Sequence, residues 1–235
     1  MTISIVLPCF NEEENITQTI ADVLGWFDAT KKQGTVIIIN DGSADNSRTV
    51  LEKLAQTDKR IVVIHHVVNK GYGAAITTGC DSATTDLIGF MDSDGQFLAA
   101  DFDKLLPSID STPFVSGVRI HRADSFHRKL NSYLYGLLVS FILSLRVRDL
   151  NCGMKLFTRE CWQKVRPTHA TGALFNAEVF LNLKAHGIVW ADVPVPHYPR
   201  LKGNPTGAKP GVIVRMFQEL LELKRDHEKS LKKSS

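Results

Sequence analysis

Four short apolar runs recur through the first hundred residues, and each is followed by a polar turn and then by a helical pattern. The runs cover residues 3–7, 35–39, 61–65 and 87–91. Runs that are largely apolar, without a regular polar alternation, are typical of strands buried on both faces, and the intervening helices cover those faces. The pattern therefore predicts an α/β fold with a mostly parallel central sheet flanked by helices.

The segments between these runs are predicted to be helices. The second half of the chain contains further strand and helix patterns, in a less regular order. In the first half, the expected helices cover residues 11–27, 46–56 and 71–83. In the second half, we expect strands at 114–118, 154–157 and 188–193, and helices at 126–145, 175–185 and 212–228. Prolines from Pro194 to Pro210 indicate a loop after the last of these strands.

A polar cluster follows each of the first four runs. The clusters are residues 8–12, 40–43, 69–73 and 92–96. Ligands of open parallel sheets bind beyond the carboxyl ends of the strands. Because these ends lie at one edge of a parallel sheet, we expect the four loops to converge on a single crevice.

The last cluster has the composition of a metal site. Asp92, Asp94 and Gln96 alternate along an extended segment, so their side chains can converge on one point. Converging oxygen ligands suit a hard cation such as Mg²⁺ or Mn²⁺. Such a cation commonly completes its coordination with phosphate oxygens, which makes a nucleotide diphosphate the expected ligand.

The second cluster contains an acidic residue in a tight turn. Asp41 can accept hydrogen bonds from a base or a ribose, while Gly42 permits the turn. The alternative is that Ser43 or Asp45 caps the following helix, and both roles can hold together.

The third cluster is rich in glycine and opens a helix. Backbone N–H groups at such a helix start favour an anion, whereas the alternative is a simple glycine turn. Ile76 stands where a dinucleotide fingerprint has a glycine or alanine, which disfavours a nicotinamide cofactor. The sequence has no GxxxxGK[ST] motif, which argues against an ordinary kinase or ATPase.

Composition restricts the partners and the compartment. The net charge of +3 is too small to argue for nucleic acid. The four cysteines show no metal-site spacing and indicate reduced thiols of a cytosolic protein. The uncharged run 130–145 is shorter than the roughly 20 residues that cross a bilayer. Its apolar stripe belongs either to the core or to a membrane interface, so we expect a cytoplasmic protein that can be peripheral on the cytoplasmic face of a membrane.

Taken together, residues 8–12, 40–45, 70–71 and 92–94 resemble the family-2 glycosyltransferases of the GT-A fold. Within that family the chain looks most like the dolichol-phosphate mannosyltransferases and their bacterial polyprenyl-phosphate relatives. Gln96 completes their DxDxQ pattern, and the later matches lie in order at 117–119, 128, 151–157 and 193–203. The resemblance covers nearly the whole chain.

The resemblance implies an inverting, metal-dependent transfer of a sugar from GDP-mannose or a UDP-sugar to a polyprenyl or dolichyl phosphate. The catalytic residues would be Asp92, Asp94, Arg119, Arg128 and Asp149, with Mg²⁺ or Mn²⁺ held by Asp92, Asp94 and Gln96. The nucleotide sugar would contact Pro8, Phe10, Asn11, Glu12, Asp41, Gly42, Lys70, Gly71, Asp92 and Ser93. The acceptor phosphate would contact Arg119 and Arg128, because guanidinium groups match phosphate oxygens, with Lys155 and Arg200 as weaker candidates for the same pocket.

Two other functions stay open from the sequence. Transfer to a sugar hydroxyl would need a carboxylate base, for which Asp149 is the first candidate and Glu178 the second. A non-catalytic module that binds nucleotide sugars is the other possibility. Where the phosphate-acceptor enzymes usually carry GFR, this chain has Gly153-Met154-Lys155, which leaves the acceptor open.

We expect one glycosyltransferase domain over residues 1–235. Residues 1–97 would form the nucleotide-sugar-binding half, residues 98–211 the acceptor half, and residues 212–235 a C-terminal helix with a basic tail. The expected partners are a nucleotide-diphosphate sugar and a lipid phosphate, with a membrane surface or a membrane subunit and no nucleic acid.

Overall fold

A computed structural model of the chain describes residues 1–120, 126–169, 172, 174–200, 202, 220, 221 and 223–225. Side chains are described throughout these ranges except at residues 126–133 and 135. The predicted residues that fall outside this part are the proline-rich loop from residue 203 and most of the helix expected at 212–228. Of that helix, residues 220, 221 and 223–225 are helical, and Leu220 and Leu223 are buried.

A single sheet of seven strands forms the centre of the described part. The strands are β1 (Ile3–Cys9), β2 (Gly34–Asp41), β3 (Ile61–His66), β4 (Leu87–Met91), β5 (Phe114–Ile120), β6 (Met154–Thr158) and β7 (Ala191–Pro196), in the order β3-β2-β1-β4-β6-β5-β7. The first four pair in parallel, β6 runs antiparallel to β4 and β5, and β7 pairs in parallel with β5. The predicted α/β fold with a mostly parallel sheet is confirmed.

Helices cover both faces of the sheet. They are α1 (Ile16–Thr30), α2 (Ser47–Thr57), α3 (Tyr72–Ser82), α4 (Phe102–Ile109), α5 (Phe126–Leu143), α6 (Arg159–Val165) and α7 (Phe175–Ala185). Ile5 and Leu7 belong to the same hydrophobic core as residues of α1, α2 and α4, whereas their neighbour Val6 belongs to a core that includes residues of α3, α5, α6 and α7. Alternate strand residues therefore contribute to two separate cores, which explains why these strands contain continuous apolar runs.

The largest difference from the sequence prediction is at the start of α1. The helix was expected from residue 11 but begins at Ile16. Asn11 adopts a left-handed backbone conformation with φ 55°, and the glutamates at 12–14 form a turn before the helix. Acidic residues in sequence look like the first turn of a helix, but here they belong to a loop at the end of β1.

The strand β7 also differs from its predicted bounds of 188–193, and two helices, α4 and α6, were not predicted. β7 extends through Pro194 and Pro196, where a loop was expected, because it is the last strand of the sheet and prolines are tolerated at an edge. The helices α4 and α6 are short, with eight and seven residues. Among the described residues, no helix combines the length and the hydropathy needed to cross a membrane.

Candidate active site

A cavity of about 400 Å³ opens at the carboxyl ends of the parallel strands. Residues from all four predicted loops line it, together with one arginine from the segment after β7. The lining residues are Pro8, Cys9, Phe10, Glu12, Asp41, Asn69, Gly71, Tyr72, Ala75, Asp92, Ser93, Asp94 and Arg200. The loops thus converge in the structure as their positions after the strands predicted.

Short polar side chains join the loop after β1 to the loop after β2. The Asn11 N–H donates to Ser43 Oγ at 3.0 Å, and the Ala44 N–H donates to Asn11 Oδ1 at 2.8 Å. The Glu13 N–H donates to Asp45 Oδ2 at 3.1 Å. Asn11 does not line the cavity, so its place in the structure is that of a loop connector.

Asp41 holds the glycine-rich loop after β3. Its carboxylate accepts the N–H of Lys70 at 2.9 Å and the N–H of Gly71 at 2.8 Å, and His66 Nδ1 lies 2.6 Å from Oδ1. The predicted anion site at this helix start is therefore occupied by the protein's own carboxylate. The side chain of Lys70 is exposed and lies outside the cavity lining, whereas Gly71 lines it with φ 98°.

Gly42 is required by the close approach of two loops. A Cβ at this position would lie 2.5 Å from the Asn69 nitrogen, and the backbone has φ 67°. Either property excludes a larger residue without rearrangement. The role of Gly42 is thus to let the β2 loop pack against the β3 loop.

Asp92 is held from two sides immediately after β4. Its N–H donates to the Gly153 carbonyl at 3.1 Å, and the Tyr72 hydroxyl donates to Asp92 Oδ1 at 2.8 Å. A Cβ on Gly153 would lie only 1.9 Å from Asp92 Oδ2. The glycine therefore makes the space that the carboxylate occupies.

The residues after Asp92 form a turn that is tied to β1. Ser93 Oγ donates to the Pro8 carbonyl at 2.6 Å. Asp94 Oδ1 accepts the Gln96 N–H at 3.1 Å, while Gln96 Nε2 donates to the Tyr198 carbonyl at 3.1 Å. Gln96 is buried and outside the cavity lining, so only the first two members of the expected ligand set, Asp92 and Asp94, face the cavity.

The electrostatics of Asp92 and Asp94 fit a divalent cation. Burial is the largest effect on both carboxyl groups and raises their pKa values. The negative charge of Asp94 raises the pKa of Asp92 further. No group of three or more His, Cys, Asp or Glu side chains within the described residues could hold a metal by itself. Mg²⁺ commonly takes one or two carboxylates and completes its coordination with substrate phosphates, so two carboxylates facing a cavity suffice.

Arg200 bridges two carboxylates of this cavity. Its Nη1 lies 3.2 Å from Asp94 Oδ2, and its Nη2 lies 2.5 Å from Glu12 Oε1. Its Nε donates to the Lys202 carbonyl at 2.8 Å. Arg200 was predicted to contact the acceptor. In the structure it lies against the loops after β1 and β4, which belong to the predicted nucleotide-sugar-binding half.

Arg119 and Asp149 form a two-pronged ion pair. Arg119 Nε and Nη2 each lie 2.7 Å from an oxygen of Asp149, and the Arg119 N–H donates to Asp149 Oδ2 at 3.1 Å. Burial raises the pKa of Asp149, but the hydrogen bonds and charge of Arg119 outweigh it, and the pKa lies below its ordinary value. A carboxylate engaged at both oxygens, with a lowered pKa, is poorly suited to act as a general base.

Lys155 does not reach the cavity. Its side chain is 0% exposed, and its Nζ donates to the Cys152 carbonyl at 2.6 Å. The prediction that Lys155 contacts the acceptor therefore does not hold in this structure, because β6 lies between β4 and β5 and directs the side chain into the core. Glu178 is also buried, and it accepts the N–H groups of Thr168 and His169. Arg128 lies in α5, and its side chain is outside the described residues.

Sequence reasoning missed Tyr72, His66 and Gly153. Tyr72 directly follows Gly71 and begins α3, within the glycine-rich cluster that the sequence indicates, but no spacing rule connects its hydroxyl to Asp92. Cys9 also lines the cavity, and burial raises the pKa of its thiol to about 12, so it remains protonated at neutral pH.

The family model "Glycosyl transferase family 2" matches residues 4–183. The chain belongs to this family. It is 32% identical to the human dolichyl-phosphate beta-glucosyltransferase over 223 residues, covering 86% of this chain and 68% of that protein. It is 28% identical to dolichyl-phosphate beta-glucosyltransferase ALG5A of Trichomonas vaginalis, with 82% of this chain and 64% of that one covered.

A bacterial relative has a similar level of identity. The undecaprenyl-phosphate 4-deoxy-4-formamido-L-arabinose transferase of Shewanella sediminis is 28% identical over 94% of this family-2 chain and 66% of its own length. The chain thus spans about two thirds of the length of the curated relatives it matches.

Solved structures confirm the predicted GT-A fold. Glucosyl-3-phosphoglycerate synthase from Mycobacterium tuberculosis, solved with Mn²⁺, UDP and phosphoglyceric acid, gives a TM-score of 0.70 at 18% identity, over 96% of this chain and 78% of that one. Mannosyl-3-phosphoglycerate synthase from Rubrobacter xylanophilus gives 0.71 at 15% identity, over 99% and 75%.

Proposed function

We propose that this chain transfers a sugar, with inversion, from a nucleotide-diphosphate sugar to a polyprenyl or dolichyl phosphate. The observation that carries the proposal is the cavity at the strand ends, which presents two half-buried carboxylates, Asp92 and Asp94, between loops joined by hydrogen bonds. The relatives named above as polyprenyl-phosphate and dolichyl-phosphate transferases support the acceptor class.

The donor would lie in the cavity formed mainly by residues 1–97. The base and ribose would be held in the part of the cavity that the loops after β1, β2 and β4 line. The lining residues there are Pro8, Phe10, Asp41 and Ser93. GDP-mannose and UDP-sugars both match the predicted chemistry. A UDP-sugar has more support, because one neighbour in structure holds UDP and two of the relatives are named as glucosyltransferases.

Asp92 and Asp94 would hold a Mg²⁺ or Mn²⁺ ion together with the donor phosphates. A cation bound there supplies positive charge for the departing diphosphate. Asp94 already faces a cation in this structure, because Arg200 lies 3.2 Å from it. Tyr72 and Gly153 keep the Asp92 carboxylate in place. Gln96 would contribute from outside the cavity by fixing the turn that carries Asp94.

A lipid phosphate needs no strong base, because its second pKa is about 6 and its oxygen is largely ionised at neutral pH. The protein must instead hold the dianion with positive charge. Arg119 is the candidate whose side chain the structure describes. Burial raises the pKa of Asp92, and the positive charge of Arg119 opposes that rise. Asp149 would orient the guanidinium through its two-pronged contact. Arg128 remains a proposed second phosphate contact.

The acceptor would come from a membrane surface. On α5, Leu134, Leu137 and Phe141 are exposed, with 86% of the Phe141 surface accessible, and their spacing puts them on one side of the helix. Arg146 and Arg148 follow and are also exposed. An apolar helix face beside basic residues favours peripheral binding to anionic lipid on the cytoplasmic face, directly or through a membrane subunit.

The alternative function, sugar transfer to a hydroxyl acceptor, needs a carboxylate base. Asp149 was the first candidate for that base, but Arg119 engages both of its oxygens, which disfavours this alternative.

The deciding experiment incubates purified protein and Mn²⁺ or Mg²⁺ with radiolabelled GDP-mannose, UDP-glucose or UDP-N-acetylglucosamine and a short polyprenyl phosphate. Label that enters the organic phase supports the proposal and identifies the donor. Donor hydrolysis without lipid product would favour a hydroxyl acceptor, and nucleotide-sugar binding without turnover would favour a binding module.

A further inference from the structure

Lys155 is a charged side chain in the interior of the sheet. It lies on β6, directly across from Phe90 of β4, and none of its surface is exposed. Its Nζ lies 5.3 Å from the centre of the Phe90 ring and 5.7 Å from the centre of the Phe180 ring. Burying an ammonium group away from water is costly unless hydrogen bonds and nearby charges compensate.

The hydrogen bonds of Lys155 go to one turn. Its Nζ donates to the Cys152 carbonyl at 2.6 Å, with a longer contact to the Leu150 carbonyl at 3.4 Å. The same turn is closed by the Cys152 N–H, which lies 3.3 Å from the Asp149 carbonyl. The ammonium therefore supports the turn at residues 149–153 from inside the core.

The turn carries contacts to both sides of the candidate active site. At its end, the Gly153 carbonyl accepts the Asp92 N–H, and the Gly153 Cα leaves room for Asp92 Oδ2. At its start, Asp149 holds Arg119. A displacement of the turn would therefore move a donor-side carboxylate and an acceptor-side arginine together.

We propose that Lys155 is a positioning residue for sugar transfer, and that its buried ammonium holds the 149–153 turn, which sets Asp92 on one side and the Arg119–Asp149 pair on the other. The inference rests on the proposed function for its kinetic consequence. Its structural consequence, the placement of Asp92, can be measured without any substrate.

The test compares Lys155→Met with Leu156→Met, a matched control on the same strand whose side chain is buried in the opposite core. Lys155→Met keeps the length of the side chain but removes the charge and the donor. We expect kcat to fall about 10- to 100-fold, because small misplacements of reacting groups have effects of this size. The acceptor KM should rise, and the affinity for Mn²⁺ with UDP, measured by calorimetry, should fall, while Leu156→Met resembles the wild type in all three.

Hydrogen exchange in the protein without ligand provides the second measurement. We expect the Asp92 amide, which donates to the Gly153 carbonyl, to exchange about tenfold faster in Lys155→Met, since loss of one supporting hydrogen bond changes local stability by this order. The Ile88 amide, earlier in β4, should be unchanged. If Lys155→Met does not fold, Lys155→Gln, which keeps a donor without the charge, replaces it.

The proposal is overturned if the folded variant has wild-type kcat, KM and Mn²⁺–UDP affinity and an unchanged Asp92 exchange rate. It is also overturned if the only change is a lower melting temperature. If the wild type itself transfers no sugar to a lipid phosphate, the proposed function fails, but the exchange rate of Asp92 still decides the role of Lys155.

Discussion

The proposed donor side of the candidate active site is formed by the loops after β1 to β4, and the proposed acceptor side by Arg119 and the 149–153 turn. The two sides are stabilised by partly different kinds of interaction. On the donor side, short polar side chains accept backbone N–H groups across the loops, as Asn11 does from Ala44 and Asp41 does from Lys70 and Gly71. On the acceptor side, Arg119 is paired with Asp149, and the turn that carries Asp149 rests on the buried Lys155.

The two kinds of interaction respond differently to a bound ligand. Hydrogen bonds between a side chain and a backbone N–H fix the loop geometry without a cation, and Arg200, which pairs with Glu12 and Asp94, adds a charged contact on the donor side. An arginine–carboxylate pair is different, because a phosphate offers the same two-pronged geometry to the guanidinium. The donor-side loops are thus joined mainly by side chain–backbone hydrogen bonds, whereas the proposed acceptor side is organised by an ion pair that a phosphate can compete for.

Removal of a donor-side carboxylate should have the largest effect. In Asp94→Ala, we expect kcat to fall about a thousandfold, because the loss of cation-assisted charge stabilisation amounts to several kcal/mol. The fold should remain intact by circular dichroism, and the exposed Asp110→Asn serves as the control. Full metal-dependent activity in Asp94→Ala would contradict the proposal that Asp94 binds the metal ion.

Removal of the acceptor-side cation should separate the two regions. In Arg119→Ala, we expect kcat/KM for the lipid phosphate to fall about 100-fold, as for other truncated buried charge pairs, while the affinity for UDP with Mn²⁺ stays within about twofold of wild type. Arg119→Lys should be intermediate, because an ammonium group lacks the fork. An equal loss of nucleotide affinity would show that the two sides are not independent.

A single methyl group tests the space that Asp92 occupies. The Cβ in Gly153→Ala would lie 1.9 Å from Asp92 Oδ2, so the carboxylate must move. We expect a loss of about 10- to 100-fold in kcat and weaker binding of Mn²⁺ with UDP. Gly25→Ala, where a Cβ meets nothing within 4 Å, is the control. It should raise the free energy of unfolding by about 0.5–1 kcal/mol, because it replaces a glycine inside α1. Wild-type kinetics in Gly153→Ala would contradict the packing argument.

The smallest effect concerns acid stability. The folded-state pKa of Asp149 is lowered, so its carboxylate stabilises the fold fully above the unfolded pKa of about 4. This contribution disappears as the pH falls through the folded-state pKa. Asp149→Asn should therefore lower the free energy of unfolding by about 1.5 kcal/mol at pH 7, with the difference narrowing below about pH 4. Urea denaturation at several pH values measures it, and a constant difference down to pH 2 would refute the pairing.

The sequence predicts the residues of the donor side better than the contacts of the acceptor side. Strand ends are visible in the apolar runs, and Asp41, Asp92 and Asp94 follow them directly, so their convergence could be predicted. The glutamates at 12–14 misled the prediction of α1, because acids before a helix and acids in its first turn look alike in sequence.

Long side chains and distant pairs explain the remaining differences. Arg200 reaches Glu12 across 188 positions of the chain, and Arg119 reaches Asp149 across 30. No periodicity encodes such pairs, because flexible side chains choose their partners from tertiary structure. Lys155 was taken for a ligand contact for the same reason, since its burial depends on the antiparallel placement of β6 between β4 and β5.

The central claim, that the acceptor side is built for a phosphate, is tested most directly by two lipids that differ only in that group. Initial rates of sugar transfer would be measured with a short polyprenyl phosphate and with the corresponding polyprenol, at equal concentration, with Mn²⁺ and the preferred donor. We expect the phosphate to react at least about 100-fold faster, because a neutral alcohol gains nothing from Arg119 and lacks a base to remove its proton. Equal rates, or faster transfer to the polyprenol, would contradict this account.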